Sequence, residues 1–228
     1  MEIFTFSAKG RRENNEDYVL SRQLLSGYSI HLLADGMGGH EHGEIASMLA
    51  CEAIAGYLGP NLANSDIVST LQQSVINANS MMLSKSQELR AKMGTTIAGA
   101  LIQGNKANIF WLGDVRIYHF RRNELLFQSE DHSIISELKK QGTVSPKEME
   151  RYGNIVTQSL SGHEIENNIP ITTLNIIPGD LILLCSDGLW RNLDIVSFKN
   201  LTKTEITNQL KAHEKDVEDN YSIVRIDV

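Results

Sequence analysis

Four aspartates decide what this chain can become, because each stands where an apolar run stops or starts. Asp35-Gly36 follows Ile30, Leu32 and Leu33, Gly113-Asp114 follows Ile109 to Leu112, Asp187-Gly188 follows Leu181 to Ser186, and Asp219-Asn220 precedes the run from Tyr221 to Val228. Short apolar runs bounded by glycine read as buried strands. A carboxylate at such a strand end, with glycine beside it, leaves its oxygens and the next carbonyl free to face a cation. Taken singly, an Asp-Gly is more simply a turn, its side chain capping its own backbone while glycine supplies a positive φ. Taken together, the four abut the most hydrophobic segments in the chain, where an unpaired charge is costly. They point to one oxygen-rich metal site. Because they come from the start, middle and end of 228 residues, the two halves of the chain must fold together to form it. No Pro/Gly/Ser-rich linker, charge block or internal repeat interrupts the chain, so a single domain over 1–228 is expected.

A formal net charge of -7 gives no broad attraction to nucleic acid or anionic membrane. The two cysteines, Cys51 in a helical pattern and Cys185 in a strand pattern, form no framework of bridges and read as buried thiols of a reducing compartment. The N-terminus lacks the basic start and apolar core of a secretion signal, and no run approaches the ~18 apolar residues of a spanning helix. A cytoplasmic monomer without membrane insertion is expected.

Strands are expected at Ile3 to Phe6, Asp17 to Leu25 and Tyr28 to Ala34, followed by a helix from Gly43 to Leu58 that Gly59-Pro60 ends. Asp66 caps a second helix with Ile67, Leu71, Val75, Ala78 and Met82 on its buried stripe. The short β runs Thr96 to Gln103, Lys106 to Leu112, Arg116 to Arg121 and Leu125 to Gln128, separated by Gly104-Asn105, Gly113-Asp114 and Arg122-Asn123, read as a meander with hairpin turns. Ser133 to Gln141 reads as a short helix closed by Gly142, and Ser145-Pro146-Lys147-Glu148 opens another. Ile171 to Ile177 and Asp180 to Ser186 read as a strand pair around Pro178-Gly179. Thr202 and Glu205 cap a last helix before the final strand. Helices set between strand clusters fit α+β layering.

Several blocks carry a resemblance: Arg12-Glu13-Asn14-Asn15-Glu16-Asp17, Asp35-Gly36-Met37-Gly38-Gly39-His40 with Gly43-Glu44, Met93-Gly94-Thr95-Thr96, Gly113-Asp114 with Arg116 and Tyr118, Asp131-His132-Ser133, Cys185-Ser186-Asp187-Gly188 and Asp219-Asn220. In this order and spacing the chain resembles the type 2C metal-dependent serine/threonine protein phosphatases of the compact bacterial kind. The resemblance implies a central antiparallel β-sandwich flanked by helical pairs in four layers, α-β-β-α. It implies hydrolysis of phosphoserine and phosphothreonine by a water held between two manganese or magnesium ions. It also implies phosphorylated protein substrates and a cognate serine/threonine kinase. By the same resemblance Asp35 bridges both ions, Glu16 and the Gly36 carbonyl serve one, Asp187 and Asp219 the other, and Asp17 steadies a metal-bound water. Arg12 would meet the phosphate, against the plainer reading of a solvated turn charge. Asp114 would share a weaker third ion with Asp187, and His40 would stand at the site rim, aiding proton transfer, against a plain loop role.

His40-x-His42 lacks the partner pair of a zinc site. There is no Gly-x-Ser-x-Gly elbow and no Walker loop, so neither a serine nucleophile of that kind nor a nucleotide cradle is indicated. Departures from the family pattern lie away from the carboxylates. Val115 stands where serine is usual, and Thr157-Gln158-Ser159-Leu160-Ser161-Gly162 replaces a Thr-Arg-Ala-Leu-Gly run. The stretch between Gly142 and Gly153 resembles the family's variable flap. A catalytically weak phosphoprotein-binding or sensor module of the same fold is the alternative, opposed by the intact Glu16, Asp35, Asp187 and Asp219.

Overall fold

A computed structural model describes residues 1–37, 42–62, 66–122, 124–165 and 169–228, apart from the side chain of Ser26. In chain order come β1 (Glu2–Ala8), β2 (Asp17–Gln23), β3 (Ser29–Met37), α1 (Gly43–Asn61) and α2 (Ile67–Leu89). Then follow β4 (Gly94–Thr95), β5 (Ile97–Gln103), β6 (Lys106–Leu112), β7 (Arg116–Arg121), β8 (Glu124–Gln128), α3 (Ile134–Gln141) and α4 (Pro146–Tyr152). The chain closes with β9 (Ile171–Asn175), β10 (Leu181–Cys185), the single turn α5 (Asp187–Trp190), α6 (Lys203–Ala212) and β11 (Tyr221–Asp227).

The strands form two antiparallel sheets, one in the order β1-β11-β10-β7-β8 and the other β2-β3-β5-β6-β9, with β4 added to β3. Period-two alternation explains why the strands read as unbroken apolar runs, since both faces of each sheet are covered. In β3, Leu32 and Ala34 pack toward α1 and α2 while Leu33 faces the opposite sheet. In β10, Ile182 and Leu184 join that inter-sheet core while Leu181, Leu183 and Cys185 pack outward against Ile206 and Leu210 of α6. Three apolar layers therefore separate four layers of backbone, as expected. The second helical flank is slight, consisting of α6 beside a 3-10 stretch, Ile195–Asn200, that anchors through buried Phe198.

Two expected connections turn out differently. β6 pairs with β5 and β9, whereas β7 pairs with β8 and β10, so Gly113-Asp114 carries the chain from one sheet to the other and is no hairpin turn. β9 and β10 likewise lie in different sheets, so Pro178-Gly179 is a second crossing. Local turn chemistry is the same in both cases; the partner of each strand is fixed by which face its side chains bury. The first long helix also continues past Pro60 to Asn61, and Leu62 donates to the Leu58 carbonyl. The caps at Asp66, Ser145 and Thr202 form as read, the last two as reciprocal capping boxes, and Ser133 caps α3 by accepting from Ser136 N–H.

Candidate metal centre

β2, β5, β7 and β11 begin at the same end of the two sheets where β1, β3, β6 and β10 finish. The carboxylates gather there, around a cleft of about 650 Å³ lined by Arg12, Glu16, Asp35, Asp114, Asp187 and Asp219. Asp17 and Asp35 are direct cross-strand partners. Like charges placed so are unfavourable unless a proton or a cation comes between them.

Close backbone approach brings the loops together. A Cβ on Gly36 would lie 2.2 Å from the Gly43 carbonyl oxygen, and one on Gly43 would lie 2.5 Å from the Glu16 carboxyl carbon. Glycine at both positions thus lets the start of α1 close over the end of β3 and press Glu16 toward it. The Gly36 N–H donates to the Glu16 carbonyl at 3.1 Å, and Asp35 N–H meets Thr96 Oγ1 at 3.2 Å. On the other side Asn220 acts as a knot. Its Oδ1 accepts from Glu16 N–H at 2.8 Å, while Nδ2 donates to the carbonyls of Lys9 and Asn14 at 3.0 and 2.9 Å.

Asp17 is buried beneath the cleft, its Oδ2 accepting from Ser186 Oγ at 2.8 Å and its Oδ1 left with no partner. Burial pushes its carboxyl up to about 7, against the pull of the Ser222 and Ser186 hydroxyls. Burial, followed by the neighbouring Asp17 and Asp187, raises Asp35 well above the usual carboxylate range. Asp187 is also raised, by burial, although Arg191 opposes the shift. Arg12 stands at the rim with Nη2 on Asp219 Oδ2 at 2.8 Å, and that carboxylate holds its guanidinium in the charged form.

Tested on these observations, the residues fit divalent ions. The donor set is oxygen alone, one buried carboxylate oxygen is unpartnered, and crowded acids raise one another's proton affinity as a cation would not. Among the described residues no three carboxylate, imidazole or thiol groups draw together tightly enough to enclose one ion unaided. An ion bound here completes its shell from backbone carbonyl and water, the habit of magnesium.

The structure therefore brings together Glu16, Asp17, Asp35, Gly36, Asp114, Asp187, Asp219 and Arg12. His40 lies outside the described residues, as do Gly38 and Gly39. His42 is the residue before α1, with a left-handed φ of 98°. Val115 is fully buried in the core between the sheets. The Thr157–Gly162 stretch is tied to α2, since Ser161 and Gly162 N–H both donate to Asn79 Oδ1. Sequence reading missed the supporting residues Ser186, Asn220 and Arg191. Ser186 and Asn220 stood in the quoted blocks without a role, and Arg191 left an Asp-Arg pair at i,i+4 across a helical turn.

Carboxylates from both sheets thus converge on one cleft whose donors are oxygen. The chain belongs to the protein phosphatase 2C family, whose model matches residues 7–219. It is 34% identical over 183 residues to the serine/threonine protein phosphatase PstP of Mycobacterium tuberculosis, covering 78% of this chain and 34% of that relative. The chain thus spans about a third of the length of the M. tuberculosis relative. To the protein phosphatase PhpP of Streptococcus pneumoniae it is 32% identical over 216 residues, covering 90% of this chain and 86% of the relative. Among solved structures, the M. tuberculosis phosphatase PstP/Ppp superposes with a TM-score of 0.85 at 29% identity, over 100% of this chain and 98% of that one. A PstP catalytic domain in complex with two manganese ions superposes with a TM-score of 0.82 at 29% identity, over 98% and 96% of the two chains. Among the described residues no helix is long and apolar enough to cross a membrane.

Proposed function

We propose that this chain removes phosphate from phosphoserine and phosphothreonine in proteins, using two divalent ions. The observation that carries the reading is the convergence of Glu16, Asp35, Asp187 and Asp219, with the Gly36 carbonyl, on one cleft whose donors are all oxygen. Glu16 and the Gly36 carbonyl would hold one ion, Asp187 and Asp219 the other, with Asp35 facing both. When bound, such ions activate water and neutralise charge on the phosphate oxygens. Asp17 would fix a water from below through its unpartnered Oδ1. Manganese and magnesium both suit the donors. A partner serine/threonine kinase, a cytoplasmic setting, a monomeric state and one domain over 1–228 belong to the same reading.

The test is phosphate release from one peptide carrying phosphothreonine and from the same peptide carrying phosphotyrosine, with manganese present. Turnover of the first at a kcat/KM about tenfold or more above the second is expected of an enzyme for phosphoserine and phosphothreonine. Tight phosphopeptide binding with no turnover of either would replace the enzyme by a sensor.

Arg12→Ala checks the phosphate contact. The guanidinium is more than half exposed, with side-chain accessibility of 59%, so donors remain for a phosphate while it touches Asp219. Its removal should lower kcat/KM by about 10- to 100-fold and leave manganese affinity within about threefold. Loss of manganese binding would make Arg12 a support for Asp219 instead.

A further inference from the structure

Between Asp114 and Asp187, where the resemblance implies a weak third ion, stands a side chain. Arg191 donates from Nη2 to Asp114 Oδ2 at 2.9 Å, and its Nε forms an ion pair with Asp187 Oδ2 at 3.2 Å. The same Nη2 reaches the Gly153 carbonyl at 3.0 Å, and Nη1 bonds Asn154 Oδ1. All three guanidinium nitrogens are thereby engaged, two toward carboxylates of the cleft and two toward the end of the segment that carries α3 and α4.

The placement is built. Asp187 opens α5, and the residue four positions on returns over it after one helical turn. The guanidinium carbon lies 4.9 Å from the Trp190 ring centroid. Trp190 is itself fixed, because its indole N–H donates to the Asp114 carbonyl at 2.9 Å and Arg116 stacks on it at 3.3 Å. Arg116 is held in turn by a two-pronged bond to Asp131, 2.8 Å on each side. A planar cation pinned this way has little freedom to swing aside. A divalent ion between Asp114 and Asp187 would have to displace it or share a few ångströms with its charge.

We propose that Arg191 is a positioning residue that stands in for a third ion: its guanidinium cross-links Asp114 to Asp187 and clasps the 153–154 segment against the cleft. The inference rests on the two-ion reading above for its ion count and on hydrogen bonding alone for the clasp. A chain with this arginine takes one ion fewer than its carboxylates would allow. Its flap is tethered to the site by a bond that needs no metal.

Two measurements on the full chain test both halves, using Arg191→Ala, with Arg191→Gln as a second variant that keeps the stem should the first fail to fold. Calorimetric titration with manganese should give one more, weaker site in the variant than in the wild type, and Arg191→Ala/Asp114→Asn should lose that extra site again. Limited trypsin digestion in excess chelator should cut after Lys147 or Arg151 about tenfold faster in the variant, because cleavage follows the open population of the segment. Arg191→Lys should keep the wild-type ion count yet release the segment, since one ammonium cannot span four acceptors. An equal ion count in wild type and Arg191→Ala overturns the surrogate, and equal cleavage rates in chelator overturn the clasp. A wild type that binds no manganese sinks the two-ion reading instead, and the digestion still decides whether Arg191 holds the flap.

Discussion

Asp35→Asn is expected to lower kcat on phosphothreonine peptide by about 10³-fold or more, a loss of at least ~4 kcal/mol of transition-state stabilisation. In the proposed reading Asp35 is the carboxylate that would face both ions, and asparagine keeps its size while removing the charge that would draw them together. The same change should not harm the metal-free fold. Asp35 sits opposite Asp17 on the neighbouring strand and lines the same cleft as Asp187, so the acid is held among its own kind. Taking one charge from that group relieves repulsion. The chelated variant should therefore melt no lower than the chelated wild type, and manganese should raise its melting temperature far less. A folded variant that takes up two manganese ions and turns over near the wild-type rate would remove Asp35 from the centre of the site.

The second large effect concerns the ions themselves. Exhaustive chelation should reduce turnover to background, and added manganese should restore it. Stability should respond along with activity. Asp17 and Asp114 have folded-state carboxyls pushed up to about 7 and about 6, by burial first, and Asp35 and Asp187 are raised as well. A carboxyl whose folded pKa exceeds its unfolded value binds protons more tightly in the native state, so its contribution is fully present below the unfolded pKa and lost as pH rises through the folded one. The chelated protein should thus lose stability between about pH 4 and pH 7, by on the order of 5 °C in melting temperature. Saturating manganese should flatten that slope by supplying the positive charge that protons supply in acid, and should raise the melting temperature by mass action. Turnover that survives chelation, or a chelated protein more stable at pH 8 than at pH 5, would contradict the site.

Much of this was legible because strand ends, glycines and caps are local signals. The runs Lys106–Leu112 and Arg116–Arg121 have the boundaries read from the sequence, and Asp66, Ser145 and Thr202 cap helices as their spacing requires. What stayed hidden depends on which partner a strand finds. Nothing local tells that β7 leaves β6 for β10, because Gly113-Asp114 would serve a hairpin equally well. The family resemblance gave Asp114 a place near Asp187 without that topology, yet it did not reveal that Arg191 fills the space between them. The hold of Asn220 on Lys9, Asn14 and Glu16 spans more than 200 residues, as its bond to Glu16 shows with a separation of 204. No period or spacing reports such a contact.

The two crossings have a mechanical meaning. Asp17 and Asp35 ride on one sheet, whereas Asp187 and Asp219 adjoin strands of the other, so the cleft is a gap between two plates. Its width is set by what fills the sandwich below, where Leu33, Ala98 and Trp111 meet Val115, Ile117, Leu184 and Val224. That filling works as a feeler gauge: a residue larger or smaller there alters the stand-off between the plates, and with it the distance across which ions must reach. The helical flanks pack on outer faces and do not enter the gap, so they are free to vary in size, as the slight second flank does, without detuning it.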